Sequence, residues 1–216
     1  MATRPASPPR VEKPYPTTDG RPLGETDVHR DDAFDLIHAL QVHFDHRRDV
    51  YVSGNLLIHY ERYNRRRHVA PDVFIVLGVP KHRRENYLLW EEGKGPDFVI
   101  ELTSPSTRRE DQRKKYRLYR DILRVREYFL FDPKNQYLKP QLQGHRRVEG
   151  AYQPIAPIDG RLPSEVAGMH LEAAGTDLRL FDPTTGRWLP TPREVEAENE
   201  RLRREIEALR REVRGD

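Results

Sequence analysis

At 216 residues, the chain has room for one domain and an appendage, and its 36% hydrophobic against 34% charged residues leave part of it outside any core. The net charge of +3, from 38 basic and 35 acidic residues, does not by itself indicate a polyanionic partner. The absence of cysteine excludes disulfide scaffolds and thiolate metal sites. No apolar stretch has the length of a signal peptide or a membrane span, so we expect a cytoplasmic protein with no membrane contact.

The N-terminal segment differs in composition from the rest of the chain. Residues 1–26 carry six prolines and few apolar side chains, which predicts a disordered arm. Thr26 and Asp27 then offer an N-cap for a helix over 28–45, where apolar residues recur at helical spacing. The domain is therefore expected to begin at residue 27.

Two strand-like segments come after this helix. They span residues 50–52 and 56–60, and Ser53-Gly54-Asn55 lies between them. A short turn containing glycine between two apolar runs predicts a β-hairpin.

Two carboxylates lie in the next two predicted strands. Asp72 heads the apolar run 73–76, and Glu101 lies inside the run 97–102. An ionised carboxylate is costly to bury unless it is paired or bound to a metal, and carboxylates on adjacent strands suit Mg²⁺. Such an ion can activate water and stabilise charge on a phosphoryl group. The structural alternatives are a turn at Pro71-Asp72 and an arginine salt bridge for Glu101.

A helix is predicted directly after the second acid. Ser104-Pro105 ends the strand, and Thr107 with Glu110 matches a capping box. Within this helix Asp111 and Lys115 are four residues apart, so they can pair with each other. Its apolar face consists of Leu118, Tyr119 and Ile122.

The order of elements predicts the fold class. A further strand at 127–131 comes after the helix, and short strands are expected over 137–190. This order predicts an α/β or α+β domain with a mixed sheet and a helix that crosses over after Glu101. Arginine-rich clusters near the two acids can contact phosphates or merely be solvated. They span residues 62–67, 81–84, 108–120 and 146–147.

The C-terminal segment has a seven-residue repeat. Apolar residues at a and d positions predict a parallel coiled-coil dimer over residues 193–214, with an asparagine at one a position that would fix the register. The alternative is a single amphipathic helix packed on its own domain. The predicted division is an arm over 1–26, a domain over 27–190 and a coiled-coil helix over 191–216. The repeat consists of Val195, Leu202 and Leu209 at d, and Asn199, Ile206 and Val213 at a.

Several of these segments occur together in a known family. The chain resembles the Uma-type family of proposed restriction endonucleases, which have the PD-(D/E)xK restriction endonuclease-like fold, over about residues 28–185. The resemblance rests on Ala70-Pro71-Asp72-Val73, Trp90-Glu91-Glu92-Gly93-Lys94-Gly95-Pro96-Asp97, Glu101-Leu102-Thr103-Ser104-Pro105-Ser106-Thr107, Asp111, Lys115, Tyr119 and Glu127-Tyr128-Phe129-Leu130-Phe131-Asp132-Pro133.

This resemblance implies roles for individual residues. Asp72 and Glu101 match the two acids that hold Mg²⁺ or Mn²⁺. The superfamily's lysine, two residues after the second acid, is replaced by Thr103, and Lys115 from the following helix matches the lysine that takes its place. Lys114 would point about 100° away on an ideal helix. Candidate accessory residues are Glu61, Thr103, Asp111 and Tyr119.

Three functions are compatible with these observations. The first is a Mg²⁺-dependent DNA endonuclease, in which a dimer presents one site to each strand of a duplex. The second is a catalytically inactive nucleic-acid-binding module, with Thr103 as a sign of decay. The third is an assembly protein that acts through the helix over 193–214. Retention of Asp72, Glu101 and Lys115 favours the first.

Overall fold

The computed structural model describes residues 15–17, 27–105 and 107–214. Most of the predicted arm over 1–26 thus lies outside the described residues, while the helix expected over 28–45 is confirmed. The α-helices are α1 (Asp27–His43), α2 (Leu89–Glu92) and α3 (Pro192–Arg214). The strands are β1 (Val50–Ser53), β2 (Ile58–His59), β3 (His68–Val69), β4 (Val73–Leu77), β5 (Tyr87–Leu88), β6 (Phe98–Leu102), β7 (Glu127–Phe131), β8 (Leu142–Val148), β9 (Ala151–Pro154), β10 (Leu162–Ser164), β11 (Met169–Ala174), β12 (Asp177–Asp182) and β13 (Arg187–Trp188).

A six-stranded mixed sheet forms the centre of the domain. Its strand order is β1-β4-β6-β7-β8-β9, and β6 and β7 are the parallel pair within it. Parallel neighbours need a crossover connection, which here is the helix between β6 and β7. The predicted mixed α+β architecture with a crossover helix after Glu101 is therefore confirmed. A four-stranded sheet (β10-β11-β12-β13) and a three-stranded sheet (β3-β2-β5) complete the fold.

The two faces of the central sheet contact different layers. One face packs against α1 and the four-stranded sheet, and its core includes Val73 and Ile100. The opposite face packs against the crossover helix and the three-stranded sheet, and its core includes Phe74 and Val99. Both faces of β4 and β6 are thus covered, which explains why their sequences are almost continuously apolar.

The predicted hairpin at residues 53–55 is wrong. β1 pairs with β4 in antiparallel register, with Val50 opposite Leu77, whereas β2 pairs with β3 and β5 in another sheet. Residues 50–52 are all buried. A strand of this kind needs cover on both faces, which the central sheet provides and an isolated two-stranded hairpin does not.

The crossover helix contains two π-helical segments, Glu110–Lys115 and Leu118–Ile122. A bond from Leu123 N to Leu118 O (3.0 Å) spans five residues instead of four. The wider turn changes the phase of the helix, so Leu123 is buried while Ile122 is 55% exposed. The predicted apolar face is therefore wrong at Ile122, because the prediction assumed α-helical periodicity.

The C-terminal helix α3 agrees with the helix predicted over 193–214. A reciprocal cap fixes its start, because Thr191 N donates to Glu194 Oε2 (2.8 Å) and Glu194 N donates to Thr191 Oγ1 (3.3 Å). Glu194 also pairs with Arg179 of β12 at 3.0 Å, which ties this end to the domain. Within the described ranges no helix is both long and apolar enough to cross a membrane.

We predict that Gly54→Ala lowers the free energy of unfolding by about 1–3 kcal/mol, because the added methyl group overpacks a closed contact. A Cβ at this position would lie 2.0 Å from Asp72 O and 2.5 Å from Ile37 Cδ1. Chemical denaturation followed by circular dichroism measures the change. The control is Asn55→Gly, which alters the same loop at a positive φ of 50° without adding atoms. Equal stability of Gly54→Ala and wild type would contradict the contact.

Candidate active site

The strand register brings Asp72 and Glu101 to the same face of the central sheet. β4 and β6 are antiparallel, and Val73 lies opposite Ile100. Continuing this register by one residue puts Asp72 opposite Glu101. Directly opposed residues on antiparallel strands project to the same side, which here is the side covered by the crossover helix. The two acids thus occupy neighbouring strands, 29 positions apart in the chain but adjacent across the ladder.

The Glu101 carboxylate is held by two donors from the crossover helix. Lys115 Nζ donates to Glu101 Oε2 at 2.7 Å, and the Tyr119 hydroxyl donates to Glu101 Oε1. Glu101 is only 1% exposed. The four-residue spacing of Lys115 and Tyr119 places both on the face that covers the sheet. The exposed neighbour Lys114 instead pairs with Glu110 at 2.8 Å.

Asp72 is bound to the backbone of the neighbouring strand. Its Oδ2 accepts a hydrogen bond from Leu102 N at 2.7 Å. His29 Nε2 of α1 lies 3.4 Å from Asp72 Oδ1. The sequence offered no signal for His29, because 43 residues separate it from Asp72 and no metal-ligand spacing connects them.

A polar chain connects Lys115 with the loop after β7. Lys115 Nζ also lies 3.1 Å from Asp111 Oδ1, and Thr103 Oγ1 donates to Asp111 Oδ2 at 2.9 Å. The Tyr137 hydroxyl in turn donates to Thr103 Oγ1. Thr103, at the position where the superfamily has lysine, therefore fixes the carboxylate that pairs with Lys115. The sequence contained no signal for Tyr137.

The site concentrates negative charge in a buried space. Burial raises the pKa of Glu101 well above its usual value, Lys115 opposes this shift, and the charges of Asp72 and Asp111 add to it. Burial works against the charge of Lys115, but Glu101 and Asp111 raise its pKa above the ordinary lysine value. Lys115 therefore stays protonated. One ammonium group faces three carboxylates, so a further cation would relieve their repulsion.

The tyrosines of the site are hydrogen-bond donors at neutral pH. Burial, followed by the charge of Glu101, raises the pKa of Tyr119 well above its usual value. Burial likewise raises the pKa of Tyr137 to about 12. Their hydroxyls therefore keep their protons and can donate to Glu101 and Thr103.

The donor set is of the kind that a divalent metal ion binds. Asp72 and Glu101 supply hard carboxylate oxygens, and an oxygen that accepts one hydrogen bond keeps a second lone pair. In addition, Asp111 Oδ1 is buried, and its contact within the described residues is the ion pair with Lys115 at 3.1 Å, without a further hydrogen bond. Across the ranges that the structure describes, no three His, Cys, Asp or Glu side chains form a complete metal cage. A two-carboxylate site suits Mg²⁺, which keeps several waters and binds substrate phosphates.

Other residues singled out in the sequence have different partners. Glu61, the candidate accessory acid, is exposed in the loop after β2, where Asn64 and Arg67 bind its carboxylate at 3.1 Å each. Arg84 is not available to phosphates, because it lies over the Tyr51 ring and pairs with Glu92 at 2.6 Å. Glu61 and Arg84 are therefore left out of the proposed site.

The fold belongs to the restriction endonuclease-like class of α+β proteins. A crystal structure from Anabaena variabilis ATCC 29413, described as "a putative nuclease belonging to DUF820", has the same fold with a TM-score of 0.52 and 15% sequence identity. The similarity covers 70% of this chain and 81% of that chain.

The chain belongs to the Uma2 family, described as "Putative restriction endonuclease", whose family model matches residues 18–174. This match confirms the resemblance found in the sequence. No curated protein matches the chain.

We predict that Glu101→Gln folds and that its melting temperature relative to wild type rises as the pH increases above the ordinary glutamate value of 4.5. The raised pKa of Glu101 means that folding takes up a proton. Wild type therefore loses stability as the pH rises through that pKa, and the glutamine variant lacks this titration. Thermal unfolding at several pH values measures the difference. Glu110→Gln, on the exposed part of the same helix, is the control. A constant difference between variant and wild type would contradict the raised pKa.

Proposed function

We propose that this chain is a Mg²⁺- or Mn²⁺-dependent endonuclease that hydrolyses phosphodiester bonds of DNA. The observation that carries the proposal is the contact of buried Glu101, on the strand next to Asp72, with Lys115 of the crossover helix at 2.7 Å. Membership of the Uma2 family supports a nuclease reaction. A buried carboxylate with a raised pKa beside other carboxylates is also a common feature of catalytic sites.

Asp72 and Glu101 would hold the metal ion. When bound, such an ion supplies Lewis acidity that activates water and stabilises the charge of a phosphoryl group. Leu102 N fixes one oxygen of Asp72, and Tyr119 fixes one oxygen of Glu101. These two bonds preorganise the carboxylates before any ion arrives, because neither depends on the ion.

Lys115 is proposed to orient the attacking water or to stabilise charge on the phosphate. Its ammonium group is a point charge with three donors, so it can keep one bond to a carboxylate and direct another toward substrate. Asp111 holds Lys115 from its other side, and Thr103 holds Asp111. Thr103, at the usual lysine position, thus supports the lysine that the helix supplies in its place. This favours an active enzyme over one that has lost its catalytic activity.

We predict that Glu101→Gln and Asp72→Asn abolish divalent-metal-dependent cleavage of duplex DNA, because each variant removes a proposed ligand charge. Lys115→Ala should reduce the cleavage rate by roughly 100-fold or more, a magnitude typical for the loss of one preorganised donor. Lys114→Ala is the matched control, since its ammonium faces Glu110 on the exposed side. Cleavage is followed on plasmid and linear DNA with Mg²⁺, with Mn²⁺ and with EDTA.

The same assay separates this proposal from its alternatives. Binding of DNA without cleavage under any metal condition would indicate a non-catalytic nucleic-acid-binding module. If the protein neither binds nor cleaves DNA, the assembly role of α3 remains as the alternative. A Glu101→Gln variant that cuts at the wild-type rate would remove Glu101 from the proposed site.

We further propose that the active form is a homodimer joined through residues 193–214. In this proposal the chain consists of an arm over 1–26, a nuclease domain over 27–190 and a coiled-coil helix over 191–216. A cytoplasmic location is part of the same proposal. The apolar a and d residues of the seven-residue repeat, which we call the seam, are exposed on the described chain. This is contrary to the alternative in which α3 packs on its own domain. The exposed fractions are 38% for Val195, 41% for Leu202, 49% for Ile206, 54% for Leu209 and 88% for Val213.

A second copy of α3 is the occupant that the seam fits. Burial of each aliphatic side chain contributes roughly 1.5–3 kcal/mol, while an isolated helix of this length is marginal in water. Asn199 at an a position lowers stability but disfavours shifted registers and larger assemblies. A dimer would place two sites on one particle, one for each strand of a duplex.

We predict that full-length protein sediments as a dimer and that a chain ending at Thr191 sediments as a monomer. Leu209→Asp should also be monomeric, because it puts a charge into the seam. Ala208→Asp adds the same charge at the neighbouring position outside the seam and should remain dimeric. Equal oligomeric states of the full-length and shortened chains would show that α3 does not drive assembly.

A further inference from the structure

A cleft rich in arginine lies beside the candidate active site. It has a volume of about 620 Å³ and is formed by the end of the loop after β6 and the first turns of the crossover helix. We call it the arginine cleft. Its lining residues are Pro105, Arg108, Arg109, Gln112 and Arg113.

Some arginines of the described chain form ion pairs with carboxylates, and the three in this cleft do not. Within the described residues, no carboxylate lies within salt-bridge distance of the three arginines. By contrast, Arg67 pairs with Glu61 and Arg146 pairs with Glu127. All three cleft arginines are exposed. Three uncompensated positive charges around one concave surface produce an attractive potential for a polyanion.

The arginine cleft is physically connected to the candidate site. The Arg108 guanidinium lies 5.3 Å from the centre of the Tyr137 ring, and the Tyr137 hydroxyl donates to Thr103. Thr103 holds Asp111, which pairs with Lys115. The crossover helix that carries the three arginines also supplies Lys115. A DNA strand that lies in the cleft would therefore contact the exposed side of the helix whose opposite side carries Lys115, with Arg108 and Tyr137 as the connection to the site.

We propose that the arginine cleft binds the phosphodiester backbone of duplex DNA next to the scissile phosphate. This inference rests on the proposed nuclease function and adds the surface that positions the substrate. Guanidinium groups bind phosphate oxygens in a planar, two-bonded geometry, which exposed arginines can adopt without losing an existing ion pair. Backbone contacts position a duplex but do not read its sequence, so the cleft determines where DNA lies and not which sequence is bound.

The test measures how DNA binding by the full chain depends on salt. A fluorescent duplex of roughly 30 base pairs is titrated in EDTA between about 50 and 300 mM NaCl, because each phosphate contact changes the slope of log K against log salt by about 0.9. Two unrelated duplex sequences are used. The absence of divalent ions makes the measurement independent of cleavage, so a missing nuclease activity and a missing binding surface give different results.

We expect the combined variant Arg108→Gln, Arg109→Gln and Arg113→Gln to reduce the slope by about 2 to 3, equally for both sequences. Arg109→Gln alone should reduce it by about 0.9. The matched control is Arg187→Gln, which removes one charge from an exposed position on β13 and should leave the slope near the wild-type value. Circular dichroism verifies that every variant is folded.

Three outcomes would overturn the proposal. The first is that wild type does not bind duplex DNA. The second is that the combined variant keeps the wild-type slope, which would mean that these arginines are only solvated. The third is a loss of affinity for one sequence alone, which would indicate base contacts in place of backbone contacts.

Discussion

The arrangement of the central domain depends on one interaction, that of the buried Glu101 with the partly buried Lys115. Glu101 lies in the middle of an apolar strand, where an ionised carboxylate is unfavourable unless it is fully paired. Lys115 and Tyr119 provide that pairing from the crossover helix. Breaking such a pair by removing one partner is costly, whereas the pair as a whole need not stabilise the fold. A costly arrangement of this kind is expected where function requires it, as at the site proposed to bind a cation and a phosphate.

The crossover helix performs two tasks that conflict in an ordinary α-helix. It must connect two parallel strands, and it must place Asp111, Lys115 and Tyr119 over Glu101 while it keeps its apolar side chains on the sheet. Its π-helical turns resolve the conflict by shifting the phase between these sets of residues. As a result Leu123 is buried and Ile122 is exposed. Wider turns of this type are frequent at functional sites, which agrees with the position of the proposed catalytic lysine.

Prediction from the sequence succeeded where a signal was local. Apolar runs around Asp72 and Glu101 indicated strands, and the segment between the Glu101 strand and the strand at 127–131 indicated a crossover helix. It failed at the turn over residues 53–55, because strand pairing there depends on β4, about 20 residues further along. His29 and Tyr137 were missed for the same reason. Each contacts a site residue more than 30 positions away, and neither carries a spacing pattern that sequence periodicity can detect.

By itself, the sequence determined the α+β class, the resemblance to a nuclease family and the two acids and one lysine that deserve testing. Those inferences rest on side-chain type and short-range periodicity, which the chain expresses directly. Only the tertiary structure decided which groups surround Glu101, which arginines pair with carboxylates and which face solvent. Ion pairing and desolvation depend on distances between distant segments, and burial sets their strength. The seam of α3 lies between these cases, because its repeat is local while the partner proposed for it is a second chain.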